Sequence, residues 1–133
     1  MHKEKTIRVL VSKVGLEATD KGIQKVATLL KKAGMEVIYL GAYESPEGIV
    51  RAALDEDADV IGLSYLSAEH LSFTPKIVAE MKKNHMDDIL LIAGGTFPVE
   101  DIPAMEEMGI DKVFAADSLT DTIIGYIHDH VRR

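Results

Sequence analysis

The residues able to do chemistry in this chain sit where apolar runs end. The stretch VLVSKVGLEATDKG, Val9 to Gly22, joins the β-branched run of Ile7, Val9, Leu10 and Val11 to the opening of a helix. Such a run suits a strand covered on both faces. Between the two lie Gly15, Leu16, Glu17, Thr19 and Asp20, closed by Gly22. Gly15 permits a sharp turn, and Thr19 or Asp20 can accept a hydrogen bond from the first free N–H groups of the helix. Ser64-Tyr65-Leu66 ends another apolar run, with His70 shortly after it. Gly94-Gly95 ends a third, where a ligand could approach the backbone closely. A serine can simply cap and a glycine pair can simply turn. Three such features at three strand ends of one sheet point to a ligand site.

Other chemistries fit poorly. Ser64 and His70 could meet as nucleophile and base, but no third residue is evident to orient the histidine. His2, His85, His128 and His130 lie at the terminus, a helix end or the last helix. His128 and His130 do not share a helix face, so no metal site and no catalytic group are expected. A phosphoacceptor receiver needs acidic residues after the first strand and an aspartate ending the third, where this chain has Ser12-Lys13 and Ser64. A flavodoxin needs a hydroxyl-rich phosphate loop, and Lys13 to Leu16 is not one.

These points are positioned by alternating elements. Ile23, Val26, Ala27 and Leu30 recur at helical spacing, and Ala33-Gly34 ends that helix. Val37 to Leu40 reads as the second strand. Ser45-Pro46-Glu47 starts a helix with a serine cap and a first-turn proline, whose apolar face holds Ile49, Ala52 and Ala53. Val60 to Leu63 is the third strand. A loop of Ser67 to Ser72 is expected before a helix carrying Ile77, Val78 and Met81, which places Pro75 in the first turn. Ile89 to Ala93 is the fourth strand, Val99 to Met108 a helix, and Lys112 to Ala115 the fifth strand. Asp117 reads as the cap of a last helix carrying Ile123, Ile124, Ile127 and Val131. Five β-α units imply a parallel sheet with helices on both faces. The flavodoxin-like order 2-1-3-4-5 is predicted, with its switch point between strands one and three.

Composition narrows the partners. The 133 residues are 47% hydrophobic and 28% charged, enough for one domain over 1–133 with a sizeable core. A net charge of −7 argues against nucleic acid or an anionic membrane surface. No apolar run approaches the roughly 20 residues of a membrane span, and the N-terminus lacks the apolar core of a secretory signal. The absence of cysteine removes disulfides and thiolate metal sites. A cytoplasmic protein is expected. Aromatic residues, 5% with no Trp, offer no stacking platform.

Order and spacing together carry a resemblance. VLVSKVGLEATDKG, ADVIGLSYLSAEH, LLIAGGTFP and MGIDKVFAADS resemble the cobalamin-binding domain of the adenosylcobalamin-dependent acyl-CoA mutases, methylmalonyl-CoA mutase above all. That family carries D-x-H-x-x-G, then S-x-L, then G-G, and the similarity spans nearly the whole chain. The resemblance implies a Rossmann-like domain that binds cobalamin, in the adenosyl rather than the methyl form. The nucleotide tail would run between sheet and helices past Gly94 and Gly95. Gly15, Leu16, Glu17, Thr19, Asp20 and Gly22 would form the lower loop. Ser64 and Leu66 would meet the cofactor from the third strand, His70 its upper edge unless it simply faces solvent, and Phe114 and Ser118 the tail. The implied partner is a large mutase subunit carrying an acyl-CoA-binding barrel, and the chain would not be catalytic alone.

The departures fall on the cobalt ligand. Glu17 stands at the family's aspartate and Thr19 at its histidine, so of that motif Gly22 alone is kept. A threonine hydroxyl is a poor cobalt ligand beside an imidazole. Ala115-Ala116-Asp117-Ser118 replaces a glycine-containing turn. Two expectations stand: a stand-alone cobalamin-binding subunit without a histidine lower ligand, or a degenerate module with an assembly or regulatory role. With Thr19, the cofactor would keep its own base on cobalt or have no protein ligand below.

Overall fold

Hydrophobic runs that must hide both faces can do so only inside a covered sheet, and the runs beginning near Val9, Val60 and Leu90 do. The computed structural model describes residues 6–14, 21–40, 45–65, 68–115, 118 and 120–131. The strands are β1 (Arg8–Val14), β2 (Glu36–Leu40), β3 (Val60–Tyr65), β4 (Leu90–Gly95) and β5 (Lys112–Val113). The helices are α1 (Lys21–Lys32), α2 (Pro46–Asp55), α3 (His70–Lys83), α4 (Ile102–Met108) and α5 (Thr120–His130). All strand pairs are parallel, in the order β2-β1-β3-β4-β5. This is the flavodoxin-like order that the alternation of elements predicts.

Strand periodicity sorts the core into two layers. Leu10, Ile61, Leu63, Tyr65 and Leu91 face α2, α3 and α4, packing with Ile49, Ile77 and Met105. Val9, Val11, Val60, Leu90 and Ile92 face α1 and α5, packing with Ile23, Ala27, Leu30 and Ile127. Ser45 caps α2 as expected, its Oγ accepting from Gly48 N at 3.0 Å. Gly34 ends α1 at φ +93°, a conformation that favours glycine.

Several boundaries differ from expectation. Helix α3 begins at His70, so Pro75 lies in its interior rather than its first turn. The expected Ser67–Ser72 loop is therefore shorter. Burial of His70 and Thr74 draws the first turn onto the sheet, and packing overrides the local signal. The segment from Val99 opens as a 3-10 turn, Val99–Asp101, before α4. The fifth strand ends at Val113, and Val131 lies just past α5. Asp117 lies outside the described residues. No helix among the described residues is long and apolar enough to cross a membrane.

Candidate functional site

Along the sheet face toward α1 and α5, side chains shrink toward the carboxyl end. At the amino end Val9, Val60 and Leu90 stand in register, and one step on Gly62 falls between Val11 and Ile92. At the carboxyl end Ser64 pairs with Gly94. On β3 and β4 the face thus carries almost no side chain where the helices would otherwise pack, while β1 brings the buried Lys13 into register with Ser64. The result is a cavity of about 290 Å³. Ile23, Val26 and Leu30 of α1 and Ile123 of α5 form its outer wall, and Phe114 lines it from beyond β5. Ser64, Thr96 and Ser118 bring hydroxyl groups, while no charged side chain lines it among the described residues. It suits a flat, largely apolar ligand with a few polar atoms.

The glycines divide by cause. A Cβ at Gly22 would meet no atom within 4 Å, so packing does not demand glycine there. Gly22 lines the cavity, where a side chain would take up ligand space. A Cβ on Gly62 would make ordinary contacts, 3.5 Å from Val11 Cγ1, and one on Gly94 would lie 3.6 Å from the Phe114 carbonyl oxygen. Gly95 is different. Its φ is +127°, and a Cβ would overlap the Tyr65 carbonyl oxygen, which accepts from Thr96 N at 2.8 Å. Gly95 is glycine because the backbone of β3 passes so close, whatever occupies the cavity.

Gly22, Ser64, Gly94, Gly95, Phe114 and Ser118 therefore line one cavity. Gly15, Leu16, Glu17, Thr19, Asp20 and Leu66 lie outside the described residues. His70 does not join the cavity and does not face solvent. It is buried on the opposite sheet face, with Nε2 2.8 Å from Asp101 Oδ2 and its ring 5.5 Å from that of Phe97. Its Nδ1 is buried without a hydrogen-bond partner. Beside it the Tyr65 hydroxyl meets Thr74 Oγ1 at 2.7 Å, and burial pushes the phenol up to about 12. Among the described residues no group of three or more His, Asp or Glu could hold a metal ion.

Sequence reasoning missed Gly62, Thr96 and the walls Val26 and Ile123. Gly62 left a trace, since glycine inside a β-branched run often marks a close approach. The walls left none, because they read as ordinary core.

A family model described as the B12 binding domain matches residues 7–123. The chain is 42% identical over 125 residues to the 2-hydroxyisobutanoyl-CoA mutase small subunit of Aquincola tertiaricarbonis, covering 94% of this chain and 92% of that one. It is 36% identical over 118 residues to the pivalyl-CoA mutase small subunit of Xanthobacter autotrophicus, covering 89% and 79%. Its fold matches a cobalamin-binding protein from Desulfitobacterium hafniense with a TM-score of 0.80 at 20% identity, over 94% of this chain and 59% of that one. The match to the family model covers most of the chain and runs through every element that lines the cavity, so this chain belongs to the B12-binding domain family.

Proposed function

We propose that this chain is the cobalamin-binding small subunit of an acyl-CoA mutase. The observation that carries the reading is the apolar cavity beneath α1 and α5, floored by Gly62, Ser64 and Gly94. A Cβ at Gly22 would face open space, and a side chain there would narrow the cavity, which fits a slot kept for a ligand. The small subunits that resemble the chain over most of their length support the same role. The walls Ile23, Val26 and Ile123 would bury the apolar base of the nucleotide tail. Ser64, Thr96 and Ser118 would offer hydrogen bonds to its polar atoms. When bound, adenosylcobalamin supplies a carbon–cobalt bond whose homolysis starts a radical rearrangement. The protein's part is to bind and orient the cofactor, and a large subunit with an acyl-CoA-binding barrel would supply the substrate site. The setting proposed for this work is the cytoplasm.

The test mixes the purified chain with adenosylcobalamin or hydroxocobalamin and separates it by gel filtration. A coloured protein peak is expected. A colourless peak at high cofactor concentration, both alone and with the large subunit present, overturns the reading. The degenerate module, motivated by Glu17 and Thr19, would then replace it.

A further inference from the structure

Two hydroxyls of the cavity, those of Ser64 and Thr96, are each followed by an aromatic residue that packs on the other sheet face. The rings of Tyr65 and Phe97 meet there with centroids 6.5 Å apart. Tyr65 is fully buried and begins a chain of contacts. The Thr74 hydroxyl donates to the His70 carbonyl at 2.6 Å, so the Tyr65 hydroxyl is the donor to Thr74 Oγ1 at 2.7 Å. The His70 ring lies against Phe97, and its Nε2 meets Asp101 Oδ2. The chain runs from the end of β3, through the first turn of α3, to the 3-10 turn after β4.

Thr96 depends on that chain. The backbone turns sharply at Gly95, where φ is +127°, and Thr96 N donates to the Tyr65 carbonyl at 2.8 Å. That bond fixes the segment at one point. Beyond it Pro98, Val99 and Glu100 are exposed, while Phe97 and Asp101 are half-buried and make the inward contacts. His70 meets both of them, and so holds a segment whose first residue gives the cavity its hydroxyl. His70 Nδ1 has no hydrogen-bond partner among the described residues, so the setting of the ring rests on Asp101. Ser118 lies beyond β5, its N donating to the Ala115 carbonyl, and none of the contacts in this chain reaches it.

Resting on the cobalamin-binding reading above, we infer that His70 and Asp101 are positioning residues for the cofactor: from the sheet face away from the cavity, their bond holds the segment that presents the Thr96 hydroxyl to cobalamin. Neither residue touches the cofactor. Breaking the bond frees the segment, and its ordering then has to occur on binding, which lowers affinity.

The experiment is a double-mutant cycle on the full chain, with adenosylcobalamin affinity read by equilibrium dialysis. His70→Ala and Thr96→Val should each weaken binding by about threefold to tenfold. The double variant should bind within about twofold of Thr96→Val alone, because the tie acts through a hydroxyl that is already gone. Combined with Ser118→Ala, His70→Ala should instead multiply the two single effects. His70→Gln, whose side-chain amide can donate to Asp101, should recover most of the affinity. Asp101→Ala breaks the same bond from its more exposed side and should give the same pattern, which keeps the test open where His70→Ala does not fold.

Unchanged affinity in Thr96→Val, or in both variants of the tie, overturns the inference. So does a loss that multiplies with that of Thr96→Val. A loss that couples equally to Thr96 and Ser118 marks a general loosening of the domain and overturns it as well. A wild-type chain that binds no cobalamin, alone or with the large subunit, overturns the underlying reading itself and the inference with it.

Discussion

His70 Nε2 lies 2.8 Å from Asp101 Oδ2 and ties the first turn of α3 to the 3-10 turn that follows β4. The bond joins two connections at the carboxyl edge of the sheet, yet it faces away from the cavity. Its imidazole is 7% exposed and its carboxylate 27%. The Asp101→Ala substitution leaves a buried N–H without an acceptor, which costs about 1–3 kcal/mol. Urea unfolding of the two chains measures it. Equal stabilities would show that water replaces the carboxylate and that the pair holds nothing together.

The two glycines of the pair should respond differently to alanine. Gly94→Ala adds a methyl at ordinary contact distance and should change stability by less than about 1 kcal/mol. Gly95→Ala must hold φ near +127° and displace the Tyr65 carbonyl, so it should cost at least about 1–3 kcal/mol. Thermal unfolding of both variants decides the matter. Similar effects would mean that the β3–β4 approach relaxes easily.

Tyr65 makes stability fall in alkali. Burial holds the folded phenol up at about 12, against 10.0 for an ordinary tyrosine. Between those values the unfolded chain releases a proton that the folded chain keeps. The stabilisation is therefore full below pH 10 and is lost as pH rises toward 12, amounting to about 2–3 kcal/mol at 1.36 kcal/mol per unit. Tyr65→Phe should flatten that slope, at a cost near neutral pH of about 0.5–1.5 kcal/mol for the lost Thr74 bond. Chemical denaturation at a series of pH values from 8 to 12 tests both halves of the statement. An unchanged slope in the variant assigns the alkaline loss to other groups.

Thr19→His places an imidazole where the resemblance expects the family's histidine. Cobalamin affinity should rise by about tenfold or more, because an imidazole is a far better cobalt ligand than a hydroxyl. Titration followed in the visible spectrum gives the constants. No gain in affinity would show that Glu17, one methylene longer than the family's aspartate, fails to orient the new ring.

The order of the sheet was legible because five short β-α units leave few arrangements when crossovers are right-handed. The Ser45 cap was legible because a cap is a local contract between residues three apart. Gly22, Ser64 and Gly94 were identifiable as rim residues, since the carboxyl ends of a doubly wound sheet gather ligand sites. The burial of His70 was not legible, because its neighbours Phe97 and Asp101 come from another connection. Residues 15–20, which carry the departures at Glu17 and Thr19, are known from sequence alone.

The sequence by itself determined the alternation of strands and helices, the strand order and the presence of Thr19 where the resemblance expects a histidine. These follow from periodicity, local caps and residue identity, which need no knowledge of distant neighbours. Tertiary structure alone decided that Gly62, Ser64 and Gly94 share the face under α1 and α5 and open a cavity there. It also decided that Gly95 answers to the Tyr65 carbonyl, while His70 answers to Asp101. The physical reason is that a strand's alternation separates two faces without saying which helices cover each. That choice is made by long-range packing, and the depth of a cavity is whatever the packing leaves unfilled.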